Sequence, residues 1–288
     1  MAFRWIKSRA SSQRIAFVLL GLATLIVVIP VAFILVQIVV RGAGTISWEF
    51  LTDAPSQAGK AGGIGPAIVG TLYLMAGTLL FSLPIGVLAG VYLTEYARDT
   101  WLTRLINMAI MNLAGVPSIV YGLFGLGLFV LAMHFGMSLL SASLTLACQA
   151  LAMTVTTSRE AILAVPREYR EGSLALGATK WQTVRHIVLP QALPGIITGA
   201  VLAMSRAAGE TAPILVVGAA FLLPRLPDSP MDQFMALPYH LYTVAAHVPG
   251  MPEGTPWGVA LVLLVVVLSF NLTATAIRLR VRRRRIGS

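Results

Sequence analysis

The stretch VPREYREGSLALGATKWQTVRHIVLPQAL, residues 165–193, is a polar island with a fixed internal spacing between two apolar runs. Glu171 is followed six residues later by Gly177, then by Ile187, Leu189 and Pro190, in the pattern E-x5-G-x9-I-x-L-P. The physical reading is a helix from about Arg167 to Leu176 that stops at Gly177, because glycine readily takes the left-handed conformation that ends helices. A second amphipathic helix runs on to Val188 and is halted at Pro190, which has no N–H to donate and whose ring opposes the preceding turn. The result is a helix-turn-helix lying across a membrane face. A plain soluble connector would need neither this spacing nor the apolar positions Leu174, Leu176, Trp181, Val184 and Ile187.

Working outward, the chain is 57% hydrophobic and 11% charged, with a mean hydropathy of +0.83. That is more apolar surface than a soluble core of 288 residues can hide. Six apolar runs are long enough to cross about 30 Å of hydrocarbon. They are Ile15 to Val40, Ala67 to Leu93, Leu105 to His134, Ser138 to Leu163, Leu193 to Leu223 and Trp257 to Ile277. The first is too long, and lacks a small-residue cleavage site before Arg41, to be a cleaved signal peptide. Pro30, Pro84, Pro117 and Pro213 fall inside the spans, where neighbouring helices can satisfy the freed backbone groups. Phe135 to Met137 join the third and fourth spans in a tight hairpin. A single cysteine, Cys148, excludes an internal disulfide, and no Cys or His spacing suggests a structural metal.

Six crossings put both termini on one side, and the basic residues choose which. Seventeen Lys and Arg residues fall on the side of the termini, whereas Arg41, Lys60 and Arg225 alone fall on the other. Positive charge stays inside, so the termini are predicted to be cytoplasmic. This divides the chain into a basic tail 1–14, a first span with its external loop 15–66, a core 67–277 and a basic tail 278–288. The core carries the cytoplasmic loop 164–193 and an external loop 224–256. The terminal RVRRRR and a pI of about 10.5 could suggest nucleic acid, but beside a span such a cluster reads as a topology signal that also meets anionic membrane lipid.

The external loop contains MDQFMALPYHLYTVAAH, residues 231–247. It suits either an interfacial helix with Tyr239 and Tyr242 at the headgroups or a docking surface for an external partner. Within the fifth span, SRAAGETAPIL, residues 205–215, holds Arg206 and Glu210 four positions apart, so on a helix they share a face. A charge at the bilayer centre costs on the order of 3 kcal/mol, which directs both inward, to the bundle or a wet cavity. Arg before Glu is the weaker order for an intrahelical pair. A guanidinium fork matches two oxygens of an oxyanion. Glu210 then either fixes the Arg206 rotamer or accepts a proton from the protonated anion; a buried pair bracing the fourth and fifth helices is the structural alternative. In GVPSIVYGLFGLG, residues 115–127, Pro117 breaks the third helix, and Ser118 and Tyr121 can line a path. Gly122, Gly125 and Gly127 suit close helix packing.

The segment REGSLALGATKWQTVRHIVLP, residues 170–190, resembles the EAA loop of binding-protein-dependent ABC transporter permeases. Gly172 and Ser173 stand where that family has its alanines, keeping the small size. GVPSIVYGLFGLG and SRAAGETAPIL are similar to motifs of the phosphate-specific permeases, and the arrangement from the second span to the last is most similar to their PstA-type subunit. The resemblance implies an all-α, polytopic, six-helix type I ABC permease bundle of the MetI-like kind in the cell inner membrane. It implies that Glu171, Gly172, Ser173, Gly177, Ile187, Leu189 and Pro190 form a loop that inserts into a groove on an ATP-hydrolysing subunit. Transport is implied to need Arg206 and Glu210. The implied partners are a homologous second permease of PstC type, two ATP-binding subunits of PstB type and an extracytoplasmic phosphate-binding protein of PstS type.

The chain itself has no G-x4-G-K-[ST] phosphate-binding loop and no nucleophile motif, so it is expected to be non-catalytic and free of cofactors, with ATP and Mg bound by partner subunits. Import of inorganic phosphate is the expected function. A permease for sulfate or molybdate shares the architecture, and an ATP-independent secondary transporter is the rival from another class.

Overall fold

The computed structural model describes residues 2–286. Residues 1, 287 and 288 of the two basic tails lie outside the described residues, as do the side chains of Arg4, Lys7, Arg9, Arg14 and Arg282 to Arg285. The helices are α1 (Ala2–Gly42), α2 (Trp48–Thr52), α3 (Gly65–Val91), α4 (Trp101–Ala114), α5 (Ser118–Gly125) and α6 (Leu139–Leu163). They continue as α7 (Arg167–Ala175), α8 (Lys180–Thr183), α9 (Leu189–Gly209), α10 (Ala212–Val217), α11 (Leu237–Ala246) and α12 (Gly254–Ile286). Five are long and apolar enough to cross a membrane, α3 and α9 being lengthened by flanking helical turns; α4 and α5 together supply a sixth, bent span.

The centre is a seam between α3 and α6. Backbone approach is set by small residues: a Cβ on Gly90 would lie 2.9 Å from the Ser158 Cβ, and Gly86 sits against Thr154. Lipid gives helices no hydrophobic reason to associate, so dispersion at such close contacts holds the pair. On the other side of α6, Gly195 meets Ala161 and Gly199 meets Thr157, which brings α9 in. Toward the 165–193 loop, Val91, Ile162, Val184, Val188 and Ile196 form one buried cluster. At the opposite end Phe50, Ile64, Met235, Leu237 and Val259 form another, beside a two-stranded hairpin in which Pro55 pairs with Gly62. Between them lie Leu74, Leu146, Ile214, Val217 and Phe234. Helix α1 exposes its apolar side chains along most of its length and packs near its end, where Gly42 meets the Trp257 backbone and the Arg41 guanidinium lies 5.2 Å from the Trp257 ring centre.

Two sequence expectations need correction, the continuity of the fifth span and the stop at Pro190, whereas the third span is broken as Pro117 predicts, into two helices meeting at 106°. Gly115 caps α4, and Pro117, at φ −58° and ψ 141°, turns the chain into α5. The fifth span is broken as well: α9 ends at Gly209, Glu210 is extended at ψ 126°, and α10 starts at Ala212. Pro213 explains the position, since it has no N–H for the carbonyl four residues earlier, which belongs to Gly209. Pro190, by contrast, does not halt its helix. A π-helical turn, Val184–Val188, precedes it, and the chain stays helical from Lys180 to Gly209. Widening the turn absorbs the bond and the space that proline removes.

Candidate functional site

Two places carry the chemistry. The first is the gap between α9 and α10. Arg206 lies in the last turn of α9, where a cation complements the negative helix end. Its Nε donates to Glu210 Oε1 at 3.3 Å, so the pair does form, although Glu210 is off the helix. Burial differs sharply across the pair: the Arg206 side chain is 48% exposed and Glu210 15%. Glu210 has a second partner that the sequence reading missed, for Gln149 Nε2 on α6 donates to the same carboxylate oxygen at 2.5 Å. Glu210 thus joins α6 to the end of α9, while the guanidinium keeps donors free. The available signal was a lone amide in the apolar run LACQALAM, where an unpaired amide would be costly.

Tyr121 and Ser118 sit nearby on α5. Tyr121 is buried at 6% exposure, and its hydroxyl donates to the Leu113 carbonyl at 2.8 Å, closing the α4–α5 corner. Ser118, the first residue of α5, is half-buried. Packing by the glycines holds for two of three: Gly122 meets Pro213 and Val216 of α10, Gly125 meets Thr145, and Gly127 touches nothing. This contact lodges α5 against the segment that follows Glu210. From Ser205 a groove of about 260 Å³ runs between α9 and α12, lined by Thr198, Asn271, Thr275 and Arg278. Ser205 bonds Asn271, and Arg278 Nη1 donates to Thr198 Oγ1 at 3.3 Å.

The second place is the hairpin of α7 and α8. Gly177 has φ +85°, the left-handed value that favours glycine. The Ala178 N–H reaches back to the Ser173 carbonyl and that of Gly177 to Leu174, ending α7 as the spacing predicts. Thr179 and Gln182 form a reciprocal capping box that starts α8. The hydroxyls of Ser173 and Thr183 are 2.9 Å apart, locking the two arms. Leu174, Leu176 and Trp181 project outward, Leu176 at 91% exposure, and Glu171 and Gly172 are exposed beside them. Ile187, Leu189 and Pro190 are half-buried where the hairpin rejoins α9. An apolar patch on a polar hairpin suits a protein partner. Among the described residues no group of three His, Cys, Asp or Glu could hold a metal ion.

On the extracytoplasmic side predicted from sequence, His240 of α11 is 1% exposed and stacks on Phe221 at 5.8 Å. Burial holds its imidazole below the usual range.

Comparison with known proteins sets these features in a family. The binding-protein-dependent transport system inner membrane component family matches residues 82–286. The "Probable ABC transporter permease protein YqgI" of Bacillus subtilis is 33% identical over 277 residues, covering 92% of this chain and 94% of the relative. The phosphate transport system permease protein PstA 1 of Mycobacterium tuberculosis is 33% identical over 265 residues, covering 90% of this chain and 86% of its own. Among solved structures, a chain of the MetNI methionine ABC transporter aligns with a TM-score of 0.61 at 22% identity, covering 75% of this chain and 96% of that one. A chain of a bacterial alginate importer aligns at 0.64 and 16% identity, over 96% of this chain and 98% of the other.

Proposed function

Because the chain belongs to the binding-protein-dependent transport system inner membrane components, we propose that it is the permease subunit of an ATP-driven importer of inorganic phosphate. The importer class follows from the family, and with it a non-catalytic transmembrane subunit that works with a second permease, an ATPase and a binding protein. Phosphate is the finer reading. One observation carries it: a half-exposed guanidinium at a helix break, anchored on one side by a carboxylate that an amide holds in turn. Such a fork has N–H groups left for two oxygens of a tetrahedral anion. The phosphate-transport names of several relatives support the same choice. Glu210 keeps the fork in place and offsets its charge, so the anion is attracted without being trapped.

The partner set in this reading is a PstC-type permease, two PstB-type ATPases that bind ATP and Mg, and a PstS-type binding protein, with both termini in the cytoplasm. ATP-driven closure of the ATPases displaces the hairpin at Glu171 to Pro190, the helices rock, and the anion passes Arg206 on its way in. Uptake of labelled phosphate by vesicles containing the complete complex tests this. Phosphate uptake that needs ATP and is not displaced by sulfate or molybdate is expected. Displacement by either at equal concentration would reassign the substrate, and uptake without ATP would remove the importer reading.

A further inference from the structure

The hairpin is fastened to the rest of the molecule at one spot that the functional reading does not use. Arg170, on α7, is 18% exposed and its partner Glu95 10%. Its Nε and Nη2 lie 3.0 and 2.9 Å from Glu95 Oε1. The same guanidinium donates from Nη1 to the Val165 carbonyl at 2.6 Å and from Nη2 to the Ile162 carbonyl at 2.8 Å. Those carbonyls lie in and just beyond the last turn of α6, where the helical ladder runs out; the Ile162 carbonyl also accepts from the Val165 N–H at 3.2 Å. One side chain therefore ties three elements: α7, the end of α6, and the π-helical turn Tyr92–Tyr96 that extends α3. The other arm reaches the same turn, since the Lys180 Nζ of α8 lies 5.0 Å from the centre of the Tyr96 ring. π-Helical turns are rare, and both arms of the hairpin land on this one.

We infer that Arg170, held by Glu95, is the positioning residue that transmits displacement of the α7–α8 hairpin to α3 and α6. Since α3 and α6 are joined along their glycine seam, they move together. Helix α6 carries Gln149, thirteen residues or about 20 Å of helix from Ile162. Gln149 holds Glu210, and Glu210 holds Arg206. A continuous set of packed and hydrogen-bonded contacts thus leads from the loop to the gap between α9 and α10. Lysine cannot replace arginine here, because one ammonium cannot meet a carboxylate and two separate carbonyls in the geometry of a planar fork. The cleft of about 340 Å³ beside the pair, shared with Thr94, Arg167 and Glu171, leaves room for the turn to shift.

The inference rests on the importer reading, and its test separates the two. The whole complex, with partner chains and binding protein, is reconstituted in vesicles, and substrate moved per ATP hydrolysed is measured for wild type, Arg170→Lys and Glu95→Gln. The expected result is normal assembly and retained ATP hydrolysis, with the transport ratio lowered at least tenfold in Arg170→Lys and severalfold in Glu95→Gln. An unchanged ratio in Arg170→Lys overturns the inference. So does a parallel loss of hydrolysis, transport and assembled complex, which marks a merely structural pair. A wild-type complex that moves no phosphate would defeat the substrate reading instead, and the ratio is then measured with the anion that is moved.

Discussion

Two arginine–glutamate pairs, one beside the hairpin and one at the break between α9 and α10, are built differently. At the hairpin, Arg170 is half-buried and fully engaged: a carboxylate and three backbone carbonyls take its donors. At the helix break, Arg206 is half exposed with one bond to a carboxylate that is itself shared with Gln149. A saturated guanidinium has nothing left to offer a ligand and serves to hold elements together. An under-used one, kept in place by a half-buried acid, has donors left over for an anion. The exposed pair Arg104–Asp99 shows the third case, 69% and 73% in the open and worth little to stability.

Mutation sharpens the contrast, and the largest effect is expected at Arg206. Arg206→Gln removes the charge that would meet the anion and should lower phosphate uptake on the order of 100-fold at equal membrane levels, with ATP hydrolysis still present. Arg206→Lys keeps charge but loses the fork and should fall roughly tenfold. Wild-type uptake in both would erase the distinction between the two pairs. Next comes Gln149→Leu, which strips Glu210 of its amide and loosens Arg206; uptake should drop by about threefold to tenfold, chiefly through an altered KM.

A smaller change is expected from Gly177→Val, which forces a β-branched residue into a left-handed turn at a cost of about 1–2 kcal/mol. Nothing lies within 4 Å of a Cβ there, so crowding is not the cause. Substrate moved per ATP should fall while binding to the external protein is unaffected; a loss at both ends would show that the pairs do not act separately. The smallest is a pH effect remote from either pair. His240 in the fold holds its proton less tightly than in the unfolded chain. The stability it contributes is therefore fully present above about pH 6.5 and is lost as pH falls through the lower folded value. Thermal midpoints of the purified chain should drop by a few degrees between pH 7.5 and 5, and His240→Leu should flatten that slope.

Much of this was legible in the residues. The E-x5-G-x9-I-x-L-P spacing located the hairpin, its glycine and its cap, because those are local backbone demands. Span count followed from apolar length. Helix continuity followed only at Pro117, where the break was expected: the fifth span also breaks just before Pro213, whereas Pro190 is absorbed by a π-helical turn, and a proline looks the same in all three runs. What differs is whether neighbouring backbone can re-pair, which is a tertiary matter. Arg206 and Glu210 were visible as charges in an oily run. Gln149, Glu95 and Arg170 became meaningful only once residues 61 and 75 positions apart in sequence were brought together.

The seam between α3 and α6 has a thermal consequence. Soluble cores lose cohesion on cooling because the ordering of water that drives burial fades. Gly86 and Gly90 face Thr154 and Ser158 with no water to expel on either side, so the attraction between them is enthalpic. Chilling should then leave this joint tight while the aqueous hairpin, whose apolar patch obeys the ordinary rule, releases its partner first.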